Sequence, residues 1–212
     1  MALFGFYTGK KKIKGLIGYY GLADWWLSAF SKRERQYIKQ TFRPLGANLS
    51  DDPLTSRDIS YDSQSVVCFL SHLAGWFGKK EDRTIGYRIL RKAEELAAMK
   101  EVSPLDIHFL FHNKLTLYYK DKGNPESLNM AIHACRQQIA IADKAAHAFQ
   151  ATYNGNPLPG HKGYAQLAII LEQQKHFDQA MELYSQAMRQ GWGGDWEKHI
   201  QRCKQKMLNH EN

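Results

Sequence analysis

An all-α fold is predicted for this chain from three observations. Apolar residues recur at three- and four-residue spacing almost without a break from Tyr61 onward. No segment alternates apolar and polar residues convincingly, as a half-buried strand would. Helix-entry signals head several of the periodic stretches, such as Ser31 with Glu34 and Asn124 before Pro125. Two regions are expected. Residues 1–60 form a basic, aromatic N-terminal helical segment with a loop, and residues 61–212 form an array of helix pairs closed by a last helix.

Each element follows from its residues. Residues 1–15 are aromatic, then glycine-punctuated, then lysine-rich, and are expected to be poorly ordered. LADWWLSAF predicts a short helix, with Trp25 and Trp26 packing it onto the array. KRERQYIKQTF puts Tyr37, Ile38 and Phe42 on one stripe behind the Ser31/Glu34 capping box. RPLGANLSDDPLTS is a loop by its Pro, Gly, Asn and Asp content. VVCFLSHLAGWF is apolar all round, as a helix buried on several sides would be. TIGYRILRKAEELAAM carries Ile85, Ile89, Leu90, Ala93, Leu96 and Ala97 at helical spacing, and DIHFLFHNKLTLYYK is the next apolar helix. Asn124 and Pro125 open a helix with Leu128, Ala131, Ile132, Cys135 and Ile139 on one face. Asp143 is expected to cap a short helix through Phe149. YNGNPLPGHKG is a loop. GYAQLAIILEQQKHFDQAMELYSQAM reads as two helices split near Lys175. Gly193 and Gly194 then break the chain, and Asp195 is expected to cap a last helix with Trp196, Ile200, Cys203 and Met207 on its apolar face.

Composition narrows the class. Hydrophobic residues make up 43% and charged residues 24%, ordinary values for a globular protein with a real core. No apolar run approaches the roughly 20 residues that span a bilayer, so no membrane partner is expected. MALFGFYTGKKK has its apolar residues before its lysines, the reverse of a secretory signal. The expectation is a soluble, intracellular, cytoplasmic protein. Cys68, Cys135 and Cys203 are odd in number and far apart, which argues for small buried hydrophobes rather than a disulfide framework. The net charge of +8 is uneven: residues 1–50 hold nine Lys/Arg against Asp24 and Glu34, giving +7 and leaving +1 for the rest.

The stretch at 161–192 has an aromatic-x-x-Leu-Ala-x-x-Leu series at Tyr164, Leu167, Ala168 and Leu171. A ring–Ala–ring–Ala series follows at Phe177, Ala180, Tyr184 and Ala187. It resembles the tetratricopeptide repeat, with Trp192 where that family's terminal proline stands. Leu73, Ala74, Phe77, Gly86, Leu90 and Ala93 repeat the pattern more weakly. So do Leu115, Thr116, Tyr119, Ala131, Cys135 and Gln138, if three extra residues are allowed around Asn124–Glu126. Gly86, Ala131 and Ala180 are 45 and 49 residues apart, longer than the family's repeat, so long loops are expected between about three degenerate units. The helix at 196–208 is expected to cap the open end. In this family the first helix of each pair lines a concave face whose polar residues hold a partner. The resemblance then implies a groove with Lys79 from the first unit, Asn113, Lys120 and Asp121 from the second, and Lys162, Ile169, Glu172 and Gln173 from the third. The alternative for Asn113 is a bond to a neighbouring loop. Lys114 is expected to point elsewhere.

No motif for chemistry stands out. His108 and His112, and Cys68 and His72, each have i,i+4 spacing, but no further metal ligand is visible beside either pair. GWGGDW follows no strand, so it is not a phosphate loop. No acid pair lies in an apolar setting. The sequence therefore points to a non-enzymatic interaction module without a cofactor, an adaptor that binds a protein or peptide. The alternative is a nucleic-acid-associated protein using Lys10, Lys11, Lys12 and Lys14, with Phe4, Phe6, Tyr7, Tyr19, Tyr20, Trp25 and Trp26 as the rings that would stack on bases. Exposed apolar surface at the start of the array leaves room for a homo-oligomer.

Overall fold

In the computed structural model, residues 13–44 and 52–211 are described, and among them lie eleven helices and two short strands. The chain divides into two units, Met1–Gln64 and Ser65–Asn212.

The first unit holds α1 (Gly15–Tyr19), α2 (Ala23–Ala29) and α3 (Lys32–Thr41). Helix α1 falls partly in the stretch expected to be poorly ordered. Its opening N–H groups, which have no partner within the helix, donate instead to carbonyls of residues 53–57: Gly15 to Arg57, Leu16 to Pro53 and Ile17 to Leu54, at 2.8–3.0 Å. Gly15 has φ +62°, and a Cβ there would lie 2.3 Å from the Leu54 carbonyl carbon, so this docking requires glycine. The 52–56 turn is wound around Asp52, which accepts from the N–H groups of Leu54 and Thr55 and the hydroxyls of Thr55 and Ser56. The capping box forms as expected, Glu34 N–H to Ser31 Oγ at 3.2 Å and Ser31 N–H to Glu34 Oε2 at 2.8 Å. Ile17, Trp26, Phe30, Ile38 and Leu54 are buried, and Trp26 packs on Phe30. Lys10, Lys11 and Lys12 lie outside the described residues.

The second unit runs α4 (Val66–Gly75), α5 (Arg83–Met99), α6 (Pro104–Tyr119), α7 (Pro125–Ala140), α8 (Ala142–Thr152), β1 (Leu158–Gly160), α9 (Lys162–Gln173), α10 (Phe177–Arg189), β2 (Trp192–Gly193) and α11 (Trp196–Glu211). Consecutive helices pack as α4/α5, α6/α7 and α9/α10, with α11 against α10. Across the pairs α6 meets α4 and α5, and α7 meets α9. Asn124 caps α7 as expected, its Oδ1 accepting from Glu126 and Ser127 N–H at 2.9 and 3.1 Å, with Pro125 at the first position. Lys175, at φ +64°, makes the turn between α9 and α10.

Two expectations are corrected. The short helix expected before the third pair is α8, which takes up most of the extra length, burying Ala142, Ala145, Ala146 and Phe149 and packing on α6. Asp143 is not its N-cap. Ile141 holds that position, because α8 starts directly where α7 ends. Two strands exist where none was expected. Leu158 pairs with Trp192 and Gly160 with Gly193 in parallel, and strands this short cannot display a period-2 pattern.

Small residues set the helix separations. A Cβ on Gly86 of α5 would meet Leu117 Cδ2 at 2.6 Å and the carbonyls of Ala74 and Phe77 at 3.2 Å. Ala131 and Ala180 are fully buried at the same point of the next two pairs. Gly75, by contrast, has open space around it. Gly86→Val should therefore lower stability by about 2 kcal/mol, while Gly75→Ala should be neutral or raise it by about 0.5 kcal/mol. Urea midpoints of the two variants check this contrast.

Candidate functional site

The residues expected to line a binding groove separate into two sets. Lys79 lies in the turn after α4, with its side chain exposed and its N–H bonded to Asp82 Oδ1 at 2.9 Å. Lys120 caps the end of α6, also exposed, and its Nζ comes 3.4 Å from the carbonyl of Gly78. The two lysines thus stand on neighbouring turns. Ile169 is exposed on α9, Gln173 is exposed at its end, and half-buried Lys162 begins it. These five side chains are available to a partner to differing degrees.

The others are tied inward. Asn113 is half-buried, and its Nδ2 donates to Ser71 Oγ at 2.8 Å and Ser71 O at 3.3 Å, so it joins α6 to helix α4 rather than to a loop. Asp121 accepts from Arg83 and from Tyr87 Oη at 2.7 Å. The Tyr87 hydroxyl and then Arg83 hold its carboxyl below the usual range, while burial and that carboxylate push the Tyr87 phenol up to about 12. Glu172 is buried and accepts from Tyr184 Oη at 2.7 Å, Arg202 Nη2 at 2.5 Å and Lys206 Nζ at 3.0 Å. Burial acts to raise its pKa, but those bonds outweigh burial and pull it down to about 2. Glu172 therefore fastens α11 to α9 and α10. Lys114 points away from that set, into the packing between helices. It is only 2% exposed, with Nζ 2.6 Å from Glu94 Oε1 and 3.1 Å from Gln137 Oε1, and it ties α6 to α5 and α7. Lys14, in the first unit, pairs with Asp58 at 3.0 Å on an exposed surface.

The most constrained cluster was not legible beforehand. Gln138 of α7 is fully buried. Its Oε1 accepts from Gly163 N–H at 2.8 Å, so its Nε2 is the donor, reaching His108 O at 3.1 Å and His108 Nε2 at 3.2 Å. His161 caps α9 by accepting Tyr164 N–H on Nδ1 at 3.2 Å. The network assigns the tautomers: His108 carries its proton on Nδ1 and His161 on Nε2. Neither of these buried nitrogens has a hydrogen-bond partner. The rings lie among Trp192 and Phe149, with His161 4.6 Å and His108 5.5 Å from the Trp192 ring. Burial, and secondarily His112, lowers His108 to about 4. Burial, and secondarily His108, lowers His161 to about 3. Both rings are neutral supports. Among the described residues, no group of three His, Cys, Asp or Glu is placed to hold a metal ion, and no helix is long and apolar enough to cross a membrane.

The histidines fix the sign of an acid effect. Between the ordinary pKa of 6.5 and the folded values of about 4 and 3, the unfolded chain binds protons that the folded chain does not. Stability should fall with pH across that window by up to about 1.4 kcal/mol per pH unit per histidine. Urea titrations between pH 7 and pH 4.5 should show the fall, shallower in His108→Leu, and a flat profile would remove this role. In comparisons with known proteins, no family model matches this chain, and no curated protein or solved structure matches it either.

Proposed function

We propose that this chain is a non-enzymatic protein–protein interaction module, a cytoplasmic adaptor built in the manner of a degenerate tetratricopeptide-repeat array. Its protein or peptide partner contacts Lys79, Lys120, Lys162, Ile169 and Gln173. The succession of three helix pairs with a closing helix supports the architecture, and the inserted α8 is where it departs from that family's regular spacing. The observation that carries the functional reading is the pairing of exposed Lys79 and Lys120 on adjacent turns. Two exposed lysines on adjacent turns of a fixed scaffold favour an anionic group on the partner. Asn113, Asp121 and Glu172 contribute by fixing the helices on which the exposed residues stand.

Affinity capture from source-cell lysate tests the proposal, with and without nuclease, at low and high salt, beside a Lys79→Ala/Lys120→Ala variant. Both lysines are exposed, so the variant should keep the wild-type circular dichroism and melting profile. A protein retained after nuclease and salt and weakened at least about tenfold by the variant is expected, equivalent to about 1.4 kcal/mol. Nucleic acid recovered at low salt only, and equally by the variant, would shift the function to the basic N-terminal region.

A further inference from the structure

Within the first unit, helices α2 and α3 enclose a notch of about 250 Å³ whose chemistry is one-sided. Trp26 and Leu27 of α2 give it an apolar side, and Leu27 is left 47% exposed. The other side is Lys32, Arg35, Gln36 and Lys39, which recur at helical spacing along one face of α3. No acidic side chain lines the notch among the described residues. Glu34, the one acid of α3, is engaged in the capping box with Ser31. Lys39 Nζ stands 3.3 Å from Asp52, whose carboxylate already accepts from Leu54, Thr55 and Ser56. Arg35 donates through Nη1 to the carbonyls of Leu27 and Phe30, which fixes its guanidinium over the end of α2 with no carboxylate opposite. Lys32 is exposed and has no ion-pair partner among the described residues.

Charge and shape together select the occupant. A cationic rim over an apolar side complements a ligand that is both anionic and apolar. The volume is below the roughly 300–1,000 Å³ of small-molecule sites and suits one inserted side chain. Trp26 is only 2% exposed, so the ring in the notch offers no open face on which a base could stack. Residues 1–12 carry Lys10, Lys11 and Lys12 and no acid, so they do not complement this rim. We propose that the α2–α3 notch is a second docking surface, which takes an acidic peptide segment of a protein partner. The segment inserts one apolar side chain beside Leu27 and sets its carboxylates against Lys32 and Arg35. This surface lies within the first unit and does not rest on the contacts proposed for Lys79 and Lys120.

Fluorescence anisotropy with the full chain and three labelled synthetic peptides tests this. One peptide is rich in Glu and Asp around a single central leucine, the second has alanine at the centre, and the third has lysines in place of the acids. The acidic leucine peptide should bind at least about fivefold more tightly than either control. Lys32→Glu and Leu27→Asp should each weaken it by about fivefold or more. Both side chains are exposed, so both variants should keep the wild-type circular dichroism. Lys79→Ala/Lys120→Ala should bind the peptide as the wild type does. Loss of binding in that variant alone would place the peptide on the second unit and overturn the notch. Equal or absent binding of the three peptides, or no loss in Lys32→Glu and Leu27→Asp, would overturn it too. So would tighter binding of a single-stranded RNA oligonucleotide or of phosphatidylserine vesicles, weakened by those same two variants.

Discussion

The side-chain amide of Gln138 is the interaction on which the second unit most depends. It lies on α7, it is fully buried, and it bonds the α6 backbone at His108 and the α9 backbone at Gly163. Three helices from two successive pairs therefore meet at one planar group. A buried amide left half-satisfied costs more than its hydrogen bonds contribute when made, because the desolvated groups have no water to turn to. Gly163 makes the geometry available. A Cβ there would lie 2.8 Å from Gln138 Oε1 and 3.0 Å from the Cys135 carbonyl oxygen. His108 and His161 must then stay neutral, because a charged ring in this aromatic surrounding would be expensive.

The same logic recurs at the other junctions. Lys114 with Glu94 joins α6 to α5, Asp121 with Arg83 and Tyr87 joins the end of α6 to α5, and Glu172 with Arg202 and Lys206 secures α11. Ion pairs like these lose much of their attraction to desolvation, but removing one partner strands a charge. They fix which helix meets which, more than they add net stability. The exposed residues Lys79, Lys120, Ile169 and Gln173 are left on a scaffold whose helix order is set beneath them.

Much of the fold could be read directly. Ser31 with Glu34 and Asn124 with Pro125 announced helix starts through local chemistry, which needs no tertiary context. The features that could not be read lie largely on α6 and beside α8. Helix α6 buries His108, Leu110, Lys114, Leu115 and Leu117, spread around its circumference, so it has no single apolar stripe from which an outward face can be deduced. Lys114 and Lys120 are the same residue type six positions apart, and only the neighbouring Glu94 and Gln137 decide that one is buried. Glu172 has an ordinary polar position in its own helix, and its burial comes from α11, thirty residues on. Gln138 was visible as a repeat position, but nothing local tells that its amide faces a histidine and a helix entry.

Hydrogen exchange followed by mass spectrometry on Gln138→Leu measures this dependence most directly. The substitution puts an apolar side chain of similar size in place of the amide and leaves the Gly163 N–H and the His108 carbonyl without their amide partner. The predicted result is a loss of protection across α9, α10 and α11, with α4 and α5 protected as in the wild type, the signature of a sub-global opening at the α7–α9 junction. Wild-type protection throughout α9–α11, or an even loss across every helix of the second unit, would contradict it.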